Sequence, residues 1–175
     1  MIAPGRAARD LQIDQAVAHP VAPDRLALVG FSQGTMMALH IGLRRPRKVA
    51  AVVGYSGMLT ATTGLAHADI PKPPVLLVHG TADPVVPIAA MHMAQSELGR
   101  LGVEVTTHTS YGIAHSVDPV GLRLGRDFVA KRIWALPRKR GERFGKRLKT
   151  IEIRESAERD LGAKDAATRW RNLCA

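Results

Sequence analysis

Three residues of this 175-residue chain, Ser32, Asp83 and His115, have the types and the order needed for chemistry together. A serine hydroxyl is a weak nucleophile until a neighbouring base takes its proton, and an imidazole suits that task near neutral pH. A carboxylate behind the imidazole sets its tautomer and stabilises the imidazolium that forms as the serine attacks. Ser32 lies in Gly30-Phe31-Ser32-Gln33-Gly34, which matches the G-x-S-x-G turn where a strand passes abruptly into a helix. Asp83 lies in His79-Gly80-Thr81-Ala82-Asp83-Pro84-Val85-Val86-Pro87, and His115 closes Gly112-Ile113-Ala114-His115. The chemistry such a set could carry is nucleophilic acyl transfer.

Such a set works only if distant segments converge, so the elements around it must form one frame. The apolar run at 25–30 predicts a strand, and 32–43 a helix stopped by Arg44-Arg45-Pro46. Further strands are expected at 48–55, 75–80 and 103–109, the last at a sheet edge, and helices at 88–101 and 120–136. Gly102 is the expected stop of the helix before it. A short helix is expected at 7–18, and a loop at 60–74. Strands alternating with helices at this spacing predict an α/β fold: a three-layer α/β/α sandwich with a mainly parallel sheet. Ser32, Asp83 and His115 each follow a predicted strand closely, and active residues of such sheets gather at the carboxyl ends of strands.

The bulk numbers divide the chain at about residue 137. Residues 1–137 carry 13 Lys/Arg and 9 Asp/Glu, whereas 138–175 carry 12 and 6, so over half of the net charge of +10 falls in the last segment. Two parts are expected: a domain over 1–137 and a basic, then mixed-charge, tail over 138–175, helical and loosely docked because it holds too little apolar surface for its own core. The run 138–149, with seven positive charges and one negative, could meet nucleic acid or an anionic membrane, though a solvated charge run is the commoner case. The single cysteine, Cys174, can form no internal disulfide. No run of about 18 apolar residues exists, and the N-terminus lacks the apolar core of a signal peptide, so a cytoplasmic protein is expected.

Other readings compete at each site residue. Asp83 before Pro84 suits a cap for the helix near Ile88, and His115 suits an ordinary surface histidine. Asp118 could serve as the acid, but its closeness to His115 favours an N-cap before Pro119. His40 and His92 fall in predicted helices, His108 in a strand, and His19 and His67 in loops, with no ligand spacing, so no metal site is expected. His79 is expected to pack rather than react. Met36, Met37, Met91 and Met93 could line an acyl pocket, although methionine at helical spacing more often fills a core.

From about residue 25 to 136 the chain resembles the phospholipase/carboxylesterase branch of the α/β-hydrolase superfamily, which includes bacterial carboxylesterases and acyl-protein thioesterase-like enzymes. The resemblance rests on Leu28-Val29-Gly30-Phe31-Ser32-Gln33-Gly34 with Met36-Met37-Ala38, on Val53-Gly54-Tyr55-Ser56-Gly57, on the segment from Val78 to Pro87, and on Gly112 to His115. It implies a serine esterase acting on carboxylic or thio-esters without a cofactor, with Ser32 as nucleophile, His115 as base then acid, and Asp83 as orienter. It also implies that the N–H of Gln33 is one donor of an oxyanion hole. Family members carry earlier strands and a His-Gly-x-Gly-like loop that brings a second donor, and no such segment precedes Arg25 here. An N-terminally truncated fold is therefore expected, with slowed turnover. The first strand is then an exposed edge, and either a homodimer joined near it or a poorly stable fragment is expected. A second reading is a hydrolase-derived scaffold without catalysis that binds an acidic partner through its basic tail.

Overall fold

Strand alternation decides the layers. The structure, a computed structural model, describes residues 23–60, 65, 70–134 and the backbone of 150–153. Its elements are β1 (Ala27–Phe31), α1 (Gln33–Gly42), β2 (Ala51–Tyr55), β3 (Val75–Gly80), α2 (Ala89–Arg100), β4 (Val105–Ser110), α3 (Pro119–Trp134) and β5 (Thr150–Ile153). Successive strand residues point to opposite faces. Leu26, Leu28, Val52, Val75 and Leu77 therefore share one face, where they pack with Ala38, Leu39 and Ile41 of α1 and Met91, Ala94 and Leu98 of α2. Ala27, Val29, Val53, Tyr55, Leu76 and Val78 line the other face, against Leu122, Val129 and Ile133 of α3. The result is the expected three-layer α/β/α sandwich.

All four strand pairs are parallel, in the order β4-β3-β2-β1-β5. Being covered on both faces, β2 and β3 are buried at every position, which explains their unbroken apolar runs. β4 is an edge strand with a half-exposed pattern, as its alternation suggested. It spans Val105–Ser110 rather than 103–109 because Val103 closes the preceding helix. Gly102 adopts φ +76°, and Gly102 N–H and Val103 N–H donate to Gly99 O and Leu98 O, the paired bonds of a Schellman cap. β2 likewise starts at Ala51, three residues later than expected.

The other edge departs from expectation. Thr150–Ile153 lies parallel to β1, with Ala27 opposite Thr150 and Gly30 opposite Ile153, so the edge expected to invite a homodimer is already paired. These four residues were expected in a loosely docked helical tail, on the strength of that segment's low apolar content. Thr150-Ile151-Glu152-Ile153 is short and alternating, and a strand needs only a ladder partner, not a core of its own. The helix expected at 7–18, His19, His67 and the basic run 138–149 lie outside the described residues. Among the described residues, no helix is long and apolar enough to cross a membrane.

Candidate active site

Ser32 occupies a backbone conformation that few L-residues tolerate, φ 54° and ψ −118°, at the junction of β1 and α1. The close approach of strand to helix explains the flanking glycines. A Cβ on Gly30 would stand 2.2 Å from the carbonyl carbon of Gly34, so nothing larger fits. The turn is held by Ser32 N–H donating to Tyr55 O at 2.8 Å, and by Ser32 O accepting from Thr35 N–H at 3.0 Å. Ser32 is the N-cap of α1 by position, yet its side chain makes no cap hydrogen bond. Its hydroxyl instead lies 3.0 Å from His115 Nε2.

His115 reaches Ser32 from β4, three strands away, which at about 4.8 Å per strand is roughly 14 Å. The loop after β4 must therefore fold back over the end of β3. Ala82 N–H donates to Ile113 O at 3.0 Å, and Gly112 N–H to Thr81 Oγ1 at 2.8 Å, tying that loop to the one carrying Asp83. Gly80 clears the crossing, since a Cβ there would stand 2.1 Å from Ile113 O. Beyond the loop, Asp118 accepts from Gly121 N–H at 3.0 Å and Ser110 Oγ at 2.9 Å, the N-cap role expected of it.

Asp83 does two jobs with one carboxylate. Its Oδ1 accepts the N–H groups of Val85 and Val86, each at 2.9 Å, while its Oδ2 stands 2.8 Å from His115 Nδ1. The cap expected of Asp83 for the helix near Ile88 is not formed, since Ile88 is itself the N-cap of α2 with no side-chain cap bond; Asp83 braces the turn at 84–86 instead, and orients His115 with the same carboxylate. Burial pushes the carboxyl up, but the bonds from Val86 N–H, His115 and Val85 N–H outweigh it and hold Asp83 below the usual carboxylate range. An ionised carboxylate only accepts, so Nδ1 carries the imidazole proton and Nε2 presents its lone pair to the serine hydroxyl. Three residues far apart in sequence thus form one hydrogen-bonded chain.

Gln33 opens α1 directly after Ser32, so its backbone N–H lies at the N-terminal end of the helix beside the serine. His79 packs, as expected. It is 2% exposed, and its Nε2 donates to Val86 O at 2.8 Å and stands 3.4 Å from Asp83 Oδ2. Met91 is core and Met37 packs against the same cluster, whereas Met93 is exposed.

Two neighbours of the site were missed in the sequence. Phe31 lies with its ring centroid 4.9 Å from that of His115. Thr35 is 1% exposed and places Oγ1 2.8 Å from both Gly30 O and Tyr55 O. The available signal for Thr35 was a single hydroxyl in an apolar helical run just past the G-x-S-x-G turn. Phe31 offered none beyond its place in the motif.

A parallel α/β sandwich with a serine, histidine and carboxylate chain at the carboxyl ends of its strands defines the α/β-hydrolase class. Within that class the chain belongs to the phospholipase/carboxylesterase family, whose model matches residues 7–133. It is 33% identical over 128 residues to acyl-protein thioesterase 1 of Gibberella zeae, covering 69% of this chain and 54% of that protein. It is 30% identical over 126 residues to lysophospholipase-like protein 1 of Mus musculus, covering 69% and 52%. Among solved structures, esterase PE8 superposes with a TM-score of 0.66 at 36% identity, covering 71% of this chain and 58% of that one. SOBER1 of Arabidopsis thaliana gives 0.65 at 24% identity, covering 73% and 62%, a likeness of fold. The chain spans about half the length of the curated relatives it matches.

Proposed function

We propose that this chain carries the catalytic centre of a serine hydrolase that cleaves carboxylic or thio-esters through an acyl-enzyme. One observation carries the reading: Ser32 Oγ, His115 Nε2, His115 Nδ1 and Asp83 Oδ2 form a continuous chain with links of 3.0 and 2.8 Å. Similarity to an esterase and to proteins named acyl-protein thioesterase supports the ester class.

Ser32 Oγ attacks the ester carbonyl carbon as its proton passes to His115 Nε2. Asp83 holds Nδ1–H and stabilises the imidazolium, while the backbone N–H of Gln33 faces the negative charge growing on the carbonyl oxygen. When the tetrahedral intermediate collapses, the alkoxide or thiolate leaves with the proton from Nε2, and the acyl group remains on Ser32. Water repeats the sequence, giving its proton to His115 and releasing the acid.

A fluorophosphonate probe tests the reading, because it is captured covalently only by an activated serine. The expected result is a probe adduct on the peptide containing Ser32, lost in Ser32→Ala. No adduct, or one unaffected by Ser32→Ala, would overturn it and leave the non-catalytic scaffold.

A further inference from the structure

We propose that Thr35 is a positioning residue for the nucleophile, its hydroxyl fastening the two backbone carbonyls that set the Ser32 turn; this rests on the serine hydrolase reading. Gly30 O belongs to β1, two residues before Ser32, and Tyr55 O is the acceptor of the Ser32 N–H. Thr35 Oγ1 lies 2.8 Å from both. A hydroxyl has one hydrogen, so it donates to one carbonyl at a time, and the equal distances let it serve either. Through Tyr55 O it is one hydrogen bond removed from the backbone of Ser32.

Ser32 needs such support. Its backbone lies in a region that persists only when the surroundings over-determine it. Three backbone bonds at Ser32, from its N–H to Tyr55 O and from the Thr35 and Met36 N–H groups to its carbonyl, do part of this, and the Thr35 hydroxyl adds a bond to the β1 carbonyl of Gly30 or the β2 carbonyl of Tyr55. The site is also shaped for this side chain. A Cβ on Gly54 would stand 2.4 Å from Thr35 Cγ2, and one on Gly57 2.4 Å from Thr35 Cβ and 2.8 Å from Ser32 O. Two glycines from the neighbouring strand and loop thus leave a slot that a threonine fills.

Thr35→Ser and Thr35→Ala differ by the hydroxyl alone, and Thr35→Val keeps the shape without it. The readouts are the first-order rate of fluorophosphonate capture, its half-saturating probe concentration, and the Ser32 backbone conformation in crystals of each variant. In Ala and Val the capture rate is expected to fall about tenfold to a hundredfold at unchanged half-saturation, with Ser32 leaving positive φ, while Ser stays close to wild type. A capture rate in Ala equal to that in Ser, or an equal loss in both, would overturn the proposal, because packing would then be the whole role. If Val fails to fold, the Ser and Ala pair decides alone. If the wild type captures no probe, the hydrolase reading falls and the crystals decide: a Ser32 φ unchanged in Thr35→Ala overturns the positioning role, and a relaxed one supports it.

Discussion

The ring of Phe31 lies 4.9 Å from the imidazole of His115, centroid to centroid, and is tilted by 49° against it. The residue immediately before the proposed nucleophile thus packs against the proposed base. Neither contact partner could move without disturbing the other.

Phe31→Ala is therefore expected to loosen His115 rather than unfold the chain, since Phe31 is only half-buried and packs at the margin of its core cluster. Misplacement by about 1 Å can cost about 10²-fold, so a fall of tenfold or more in fluorophosphonate capture is expected. Thermal unfolding by circular dichroism measures the accompanying stability change. Unchanged capture would show that the ring does not hold the imidazole.

Asp83→Asn is expected to lower ester hydrolysis by about 10⁴-fold, the cost of losing control over the imidazole tautomer. It also predicts a pH signature. The folded carboxyl titrates below its unfolded value, so it adds stability that is complete above about pH 3.9 and is lost as pH falls through the lowered folded value. Urea unfolding should find wild type more stable than Asp83→Asn at pH 6, with a gap that narrows as pH drops below 4. A gap that widens on acidification would contradict the lowered carboxyl.

Glycines separate crossing from flexibility. Gly80→Ala places a Cβ against the Ile113 carbonyl and should displace the loop carrying His115, with about 10²-fold loss of capture. Gly99→Ala in the exposed last turn of α2 meets nothing within 4 Å and should add about 0.5–1 kcal/mol of stability without changing capture. Denaturant midpoints and probe kinetics on both variants check the contrast.

Ending the chain at residue 149 removes β5 and bares β1. An unpaired, apolar, parallel edge templates pairing with another chain, so sedimentation should find a larger share of dimers or larger species than for the full chain at the same concentration. A truncated chain that stays monomeric at the same concentration would show the edge to be harmless.

Much of the frame was legible because burial on both faces writes itself into composition: 75–80 is apolar at nearly every position, and the strand lies there. Ser32, Asp83 and His115 could be named as candidates because each stands in a loop shortly after an expected strand, Ser32 and Asp83 after apolar runs and His115 after the alternating 103–109. β5 was not, since four alternating residues in a charged segment carry no signal until a partner strand accepts them. Phe31 against His115 and Thr35 beneath Ser32 were equally silent, because both are contacts across folded-back segments.

By itself the sequence determined the strands and helices from β1 to α3, which candidate residues carry groups able to react, and at which end of the sheet those groups emerge, because periodicity and turn chemistry act over a few residues. Only the tertiary structure decided that the loop from the edge strand β4 crosses β3 to bring His115 to Ser32, that one carboxylate serves both a turn and an imidazole, and that β5 closes the far edge. Those outcomes depend on distances between segments tens of residues apart, and such distances are set by how layers and loops pack, not by neighbours along the chain.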